Sequence, residues 1–176
     1  MGQDNRSEEF HQALLKLVRD PEPLVRRNAA LSLVRFGDLN ARAELLSMLR
    51  PYAVPSPRFG KVTLRLAEQE AVNPGTLLAR LDAGGKETVE IRSPLPGLVD
   101  KRLVVDVQSV EAGSPIMVLS PAPEQTWEAL RALVLVGRAE DLPEIERIVR
   151  ASGEYGSNDR IRQQAELTVR AIRSRL

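Results

Sequence analysis

A ten-residue pattern occurs twice in the middle third of this chain, and it limits that segment to an internally duplicated β structure. Val72-Asn73-Pro74-Gly75-Thr76-Leu77-Leu78-Ala79-Arg80-Leu81 and Val110-Glu111-Ala112-Gly113-Ser114-Pro115-Ile116-Met117-Val118-Leu119 both read V-x-x-G-x-x-(L/I)-x-x-L, 38 positions apart. Each copy follows a glycine and a strand-like run, Gly60-Lys61-Val62-Thr63-Leu64 in the first and Gly97-Leu98-Val99 in the second. Short alternating runs of β-branched residues and leucine, punctuated by Pro74-Gly75, Gly84-Gly85, Pro94, Pro96-Gly97 and Gly113, predict short strands joined by tight turns. Neither half is large enough to bury its own apolar face. Interlocked, the two would form one sandwich with an approximate two-fold axis.

What flanks this segment is of another kind. Ala29, Leu33 and Gly37 recur as Ala129, Leu133 and Gly137 at an offset of 100, in helical spacing on both sides of the β segment. Phe10, Leu14, Leu17 and Val18 put an apolar stripe on a helix over 9–19, which Asp20-Pro21 stops. A second helix is predicted from Pro23 to Phe36 with Gly37 to end it. A third runs from Leu39 to Leu49, capped by Asp38, with Leu39, Ala43, Leu46 and Leu49 inward.

Helical spacing resumes at Glu124 to Val136, then from Asp141-Leu142-Pro143, and last from Asp159 to Ser174 after a loop over 152–158. Six helices form three pairs only if the third is partnered by the fourth, across the β segment. The prolines at both junctions, Pro51, Pro55, Pro57, Pro121 and Pro123, favour extended connections there. The expected organisation is helices over 1–50, an inserted β domain over 51–121, and helices over 122–176.

Composition narrows the chemistry. The formal net charge is only +1 and aromatic residues are 3%, so neither a global field nor a stacking platform favours nucleic acid. There is no cysteine and a single histidine, His11, which excludes thiolate chemistry and leaves no histidine pair for a metal. No Ser-His-acid spacing or phosphate-binding loop occurs, since Gly84-Gly85-Lys86-Glu87 has neither the spacing nor the hydroxyl. Carboxylates such as Glu140-Asp141 read as solvated helix-start charges, and Arg26-Arg27 as a solvated basic face. The expectation is no enzyme, no metal, no nucleic-acid partner, no membrane span and a cytoplasmic location, with another protein as partner.

Two resemblances sharpen this. The Asp20-Pro21 turn, Val25-Arg26-Arg27-Asn28-Ala29-Ala30-Leu31-Ser32-Leu33 and Gly37-Asp38 resemble the second helix of a HEAT repeat and its exit, over roughly residues 8–50 and 123–175. The segment Gly60 to Leu119 resembles the biotinyl/lipoyl-type barrel-sandwich hybrid. Its most specific stretch is Lys86-Glu87-Thr88-Val89-Glu90-Ile91-Arg92-Ser93-Pro94-Leu95-Pro96-Gly97-Leu98-Val99, similar to the lipoyl pattern K-x-x-V-E-(I/V)-x-(S/A)-P-x-x-G-x-(V/I). The resemblance puts Lys86 in the place of the modified lysine, at a hairpin tip. Its neighbours are Gly85 and Glu87, where lipoyl domains carry a preceding acid and biotinyl domains two methionines. The Gly-Asp turn of the family is replaced by Gln69-Glu70 in one half and Val107-Gln108 in the other.

The fold class implied is α+β multidomain, a HEAT-like α-solenoid of three helix pairs with an inserted all-β barrel-sandwich hybrid. The function it implies is a non-catalytic interaction or scaffold module that presents the β domain to a partner protein. The alternative is a carrier domain with a covalent lipoyl or biotinyl group on Lys86, and the third reading is a subunit similar to efflux or secretion adaptors.

Overall fold

The structure, a computed structural model, describes residues 7–84, 88–150 and 159–176. It is α+β, with six α-helices and two four-stranded antiparallel sheets among the described residues. The chain divides into two compact units, one made of residues 1–50 and 123–176, the other of residues 51–122.

The helical unit begins with α1 (Glu8–Leu17), where the Ser7 hydroxyl accepts the Phe10 N–H and Glu8 and Glu9 place negative charge in the first turn. Then comes α2 (Pro23–Leu33), opened by a proline whose missing N–H costs nothing at a helix start. It tightens into a 3₁₀ turn over Val34–Phe36 and ends at Gly37, whose φ of +66° suits a residue without Cβ. The predicted third helix is shorter than its apolar spacing implied. Asp38 accepts the Asn40 N–H at 2.8 Å and draws Leu39–Ala41 into a 3₁₀ turn before α3 (Arg42–Ser47). The Ser47 hydroxyl donates back to the Glu44 carbonyl at 2.7 Å at the end of that helix.

Across the β unit in sequence, α4 (Pro123–Val136) is followed by a 3₁₀ turn over Ala139–Asp141, α5 (Leu142–Arg150) and α6 (Asp159–Arg173). The offset of 100 is therefore structural as well as sequential: Pro23, Leu39 and Arg42 start elements that Pro123, Ala139 and Leu142 start again.

In this unit α1 packs on α2, α2 on α3 and α4, α3 on α4, α4 on α6, and α5 on α6. Helices from both sides of the β segment share one core, in which Leu33, Leu45, Met48 and Leu49 meet Leu130, Leu133, Ile145 and Ile172. Ala29 and Ala129 are both buried. Phe10, Leu17 and Leu39, expected to face inward, are each more than two-fifths exposed. Helix α1 packs chiefly on α2, and Leu14 is its one fully buried residue among the described residues.

The β unit contains β1 (Tyr52–Pro55), β2 (Gly60–Leu64), β3 (Ala71–Val72), β4 (Leu77–Asp82), β5 (Thr88–Arg92), β6 (Gly97–Arg102), β7 (Gln108–Val110) and β8 (Pro115–Pro121). One sheet has the order β1-β8-β6-β3 and the other β5-β4-β2-β7, so they are separate four-stranded sheets and not a closed barrel. Shifting each strand by 37 or 38 positions converts one order into the other, β1 into β5, β4 into β8, β2 into β6 and β3 into β7. Their inward faces, Val62, Leu78, Leu81 and Ile91 with Val99, Ile116, Met117 and Leu119, make a single core.

The duplication extends further than the V-x-x-G pattern. Ser56-Pro57-Arg58-Phe59-Gly60 repeats as Ser93-Pro94-Leu95-Pro96-Gly97, and each serine hydroxyl donates to a carbonyl two residues on, Ser56 to Arg58 and Ser93 to Leu95. The Gly75 N–H donates to the Ser93 carbonyl and the Gly113 N–H to that of Ser56, both at 2.8 Å. Residues 52–57, read from sequence as a proline-rich connection, are thus the first strand and turn of the duplicated half.

Candidate functional site

The β4–β5 hairpin is where the sequence resemblance locates a functional lysine. Its register is Ala79 with Ile91, Arg80 with Glu90, Leu81 with Val89 and Asp82 with Thr88. Leu81 and Ile91 point inward and are buried, while Arg80, Glu90 and Arg92 lie on the exposed face and form ion pairs at 3.7 Å and 2.5 Å about Glu90. Asp82 turns the chain out of β4 by accepting the Gly84 N–H at 3.0 Å, with Gly84 at φ +93°. The connection from Asp82 to Thr88 contains Lys86, which lies outside the described residues.

The two-fold relation gives this hairpin a counterpart. Leu81 opposite Val89 corresponds to Leu119 opposite Tyr52, the pair that joins the first and last strands of the unit. The hairpin connection and the unit's own two chain ends therefore occupy equivalent positions. Because Tyr52 and Leu119 are hydrogen-bonded neighbours, the chain leaves the unit beside where it came in. A unit built this way can be inserted at one point of another fold.

Elsewhere the duplication shows a strained turn that the sequence marked only as a departure from the family pattern. Gln69 and Val107, at equivalent positions, have φ of +72° and +66°. Matching hydrogen bonds impose this: Gln69 N–H to Val99 O and Val107 N–H to Val62 O, at 2.6 and 2.7 Å, with Ala67 N–H to Glu70 and Val105 N–H to Gln108 across each turn. Glu68 accepts the Arg102 N–H and Asp106 that of Leu64. Left-handed backbone costs an L-residue about 1–2 kcal/mol, and a β-branched one is an outlier there.

Two charged side chains of the helical unit, Arg27 and Asp141, are buried. Asp141 is 2% exposed and receives two hydrogen bonds from Arg42, at 3.0 and 2.7 Å, and one from the Arg138 N–H at 2.8 Å. Hydrogen bonding to Asp141 drives the Arg42 guanidinium above its ordinary range. Asp141 is therefore no solvated helix-start charge. Arg27 is likewise buried and bonded to Gln125, so the Arg26-Arg27 pair is not a solvated face.

His11 is half-buried, stacked on Phe36 at 4.7 Å and paired with Asp38 at 2.6 Å. Burial would raise the Asp38 carboxyl, but bonds from the Asn40 N–H, His11 and the Asn40 side chain outweigh it and hold the group below its ordinary value. Among the described residues no group of three or more His, Asp or Glu side chains could hold a metal, and no helix is long and apolar enough to cross a membrane.

No family model matches the chain, and no curated protein matches it. Over 64% of its length it is similar to a single-chain, multi-domain long-chain acyl-CoA carboxylase, at 21% identity and a TM-score of 0.39. Over 40% of its length it is similar to the product-bound ectoine utilization protein EutE (DoeB) from Ruegeria pomeroyi, at 27% identity and a TM-score of 0.34. The chain covers 10% of the first of these chains and 22% of the second.

Proposed function

We propose that this chain is a non-catalytic interaction module, a short stack of HEAT-like helix pairs that carries a biotinyl/lipoyl-like β unit and offers it to a partner protein. The observation that carries this reading is the exchange of the two sheets by a shift of 37 or 38 positions, which makes the β4–β5 hairpin the counterpart of the strands that carry the unit's two chain ends. The helix pairs α1/α2, α3/α4 and α5/α6, with α4 against both α2 and α6, support stacked repeats. On this reading the chain supplies surfaces and position, and the chemistry belongs to its partner.

A second reading is favoured by the hairpin register. The pairing of Asp82 with Thr88 leaves Lys86 within a five-residue connection, where a lipoyl or biotinyl group would be attached through an amide to its Nζ. Lys86 is one of four lysines, with Lys16, Lys61 and Lys101, so a modification there is readily located. Intact mass of the protein isolated from its native host separates the two. The interaction module has the mass of the bare chain, and Lys86→Ala changes stability by no more than about 0.5 kcal/mol, as surface substitutions do. An added lipoyl or biotinyl mass that disappears in Lys86→Ala would establish the carrier instead.

A further inference from the structure

We propose that one face of the helical unit, centred on Trp127, Arg131 and Arg160, binds a partner protein through an acidic amphipathic helix of that partner. This surface is additional to the β unit and does not depend on how that unit is used. Trp127, Arg131 and Leu135 stand four residues apart on α4 and so form one stripe along it. Trp127 is the chain's single tryptophan and is half-buried, Arg131 is exposed, and Leu135 is 67% exposed. On α6, Arg160 and Leu167 lie two turns apart on one side, with Leu167 53% exposed. The two stripes meet at the indole: the guanidinium carbons of Arg160 and Arg131 lie 3.9 and 4.6 Å from its ring centroid. Toward α2 the face continues into an open groove of about 290 Å³, where Leu31, Arg35, Arg131 and Leu135 share the lining.

The arginines select the occupant. Elsewhere in this unit guanidiniums meet carboxylates, Arg42 with Asp141, Arg147 with Glu144, and Arg150 and Arg173 with Glu146. Arg131 and Arg160 have no carboxylate within 4 Å among the described residues, although Glu124 and Glu128 lie within a turn of Trp127 and Asp159 precedes Arg160. Asp159 is held by Arg162 instead. Two like charges are thus gathered on one ring, which attracts each cation and neutralises neither. A guanidinium on a ring uses its flat face and keeps its N–H edge for a carboxylate, which it can hold through two parallel hydrogen bonds.

The aliphatics restrict the anion to a polypeptide. The offset of 100 equates Leu31 with Arg131 and Arg35 with Leu135, so cation and aliphatic alternate along each stripe and from α2 to α4. A bilayer sorts these contacts by depth, cations at the headgroups and aliphatics below them, and a nucleic-acid backbone has no contact for the aliphatics. An α-helix with leucine and glutamate at four-residue spacing on one side presents the same alternation. Trp and Arg are also the side chains that most often anchor such interfaces. The groove is open and smaller than the sites that enclose small ligands, which suits side chains of a partner.

The test is a dye-labelled helical peptide of about sixteen residues, built from alanine with leucine, glutamate and leucine at four-residue spacing on one side, titrated with the full chain to about 1 mM. Fluorescence anisotropy is expected to show saturable binding at roughly 100 μM, in the range of small interfaces, that weakens as salt rises. Unlabelled peptide is expected to shift the emission of Trp127, which as the single tryptophan reports the site. Arg131→Gln/Arg160→Gln is expected to weaken binding at least about tenfold with an unchanged melting temperature, and Leu135→Ala to weaken it by about tenfold. The same peptide with glutamine in place of glutamate is expected to bind at least about tenfold more weakly. Absence of saturable binding overturns the proposal and leaves the reading of the β unit, which intact mass tests, in place. Equal affinity for the glutamine peptide, or undiminished binding by the double variant, overturns it as well. A Trp127 shift with vesicles of phosphatidylserine and phosphatidylcholine but not with the peptide would overturn it in favour of a membrane.

Discussion

Replacing Arg42 with alanine is expected to destabilise the helical unit by about 3–5 kcal/mol, the cost of leaving a buried charge without its partner. The Asp141 carboxylate has almost no contact with solvent, and Arg42 meets both of its oxygens in a two-pronged arrangement. Without Arg42 it retains the Arg138 N–H, a single hydrogen bond for a full buried charge. The loss should be read as a lower denaturant midpoint for the helical transition. Arg42→Lys should recover only part of it, because an ammonium is a point charge that cannot reproduce the planar fork. Arg42→Met combined with Asp141→Leu should recover part of it, since no buried charge is then left unpaired while the Arg138 N–H loses its acceptor. A single variant within about 1 kcal/mol of wild type would mean that solvent reaches Asp141.

The second large effect is expected at Gly97. A Cβ on this residue would meet the carbonyl oxygen of Ser120 on the neighbouring strand β8, and backbone cannot swing aside as a side-chain end can. Gly60 is its counterpart in the other sheet, where a Cβ would lie 2.5 Å from the Asp82 carbonyl oxygen and 2.9 Å from Leu81 Cγ. Gly97→Ala and Gly60→Ala should each destabilise the β unit by about 3 kcal/mol, at the upper end of overpacking costs. The effect should appear in the thermal transition of the β unit and leave the helical one in place. Equal and small effects at both glycines would mean that the strand starts are looser than the sheet register implies.

The two glycines show how the sequence carried the fold and where it fell silent. Gly60 and Gly97 announced themselves as strand starts because close backbone approach admits no other residue, and the V-x-x-G turns did so through Gly75 and Gly113, at φ +87° and +81°. The helix starts were legible through Pro23, Asp38 and Pro123, whose roles are local. Burial by a distant neighbour is not local. Asp141 looked like any helix-start acid because Arg42, 99 positions away in the chain, is what buries and binds it. Phe10, Leu17 and Leu39 carried an inward spacing, yet each is more than two-fifths exposed.

The candidate site was legible in part for the same reason. The offset of 38 was clear in the glycines and valines, but following it through Ser56-Pro57 would have identified β1 as the counterpart of β5. The same offset equates Gln69 with Val107, the comparison that separates a turn of polar residues from one with exposed aliphatics. Neither pairing could be weighed without the register, since positive φ at a valine is invisible in its identity. Lys86 was named from the resemblance alone, by its place before Val89-Glu90-Ile91.

At the centre of this account are a β unit and a helical unit that are each complete. Replacing residues 51–122 with a short Gly-Ser linker tests that most directly, by circular dichroism and thermal unfolding of the remaining helical chain. The account predicts retained helix and one cooperative transition, because α3 and α4 pack on each other and Leu45, Met48, Leu130 and Leu133 share one core. Loss of cooperative unfolding in the shortened chain would contradict it, and would mean that the helices depend on the β unit for their fold.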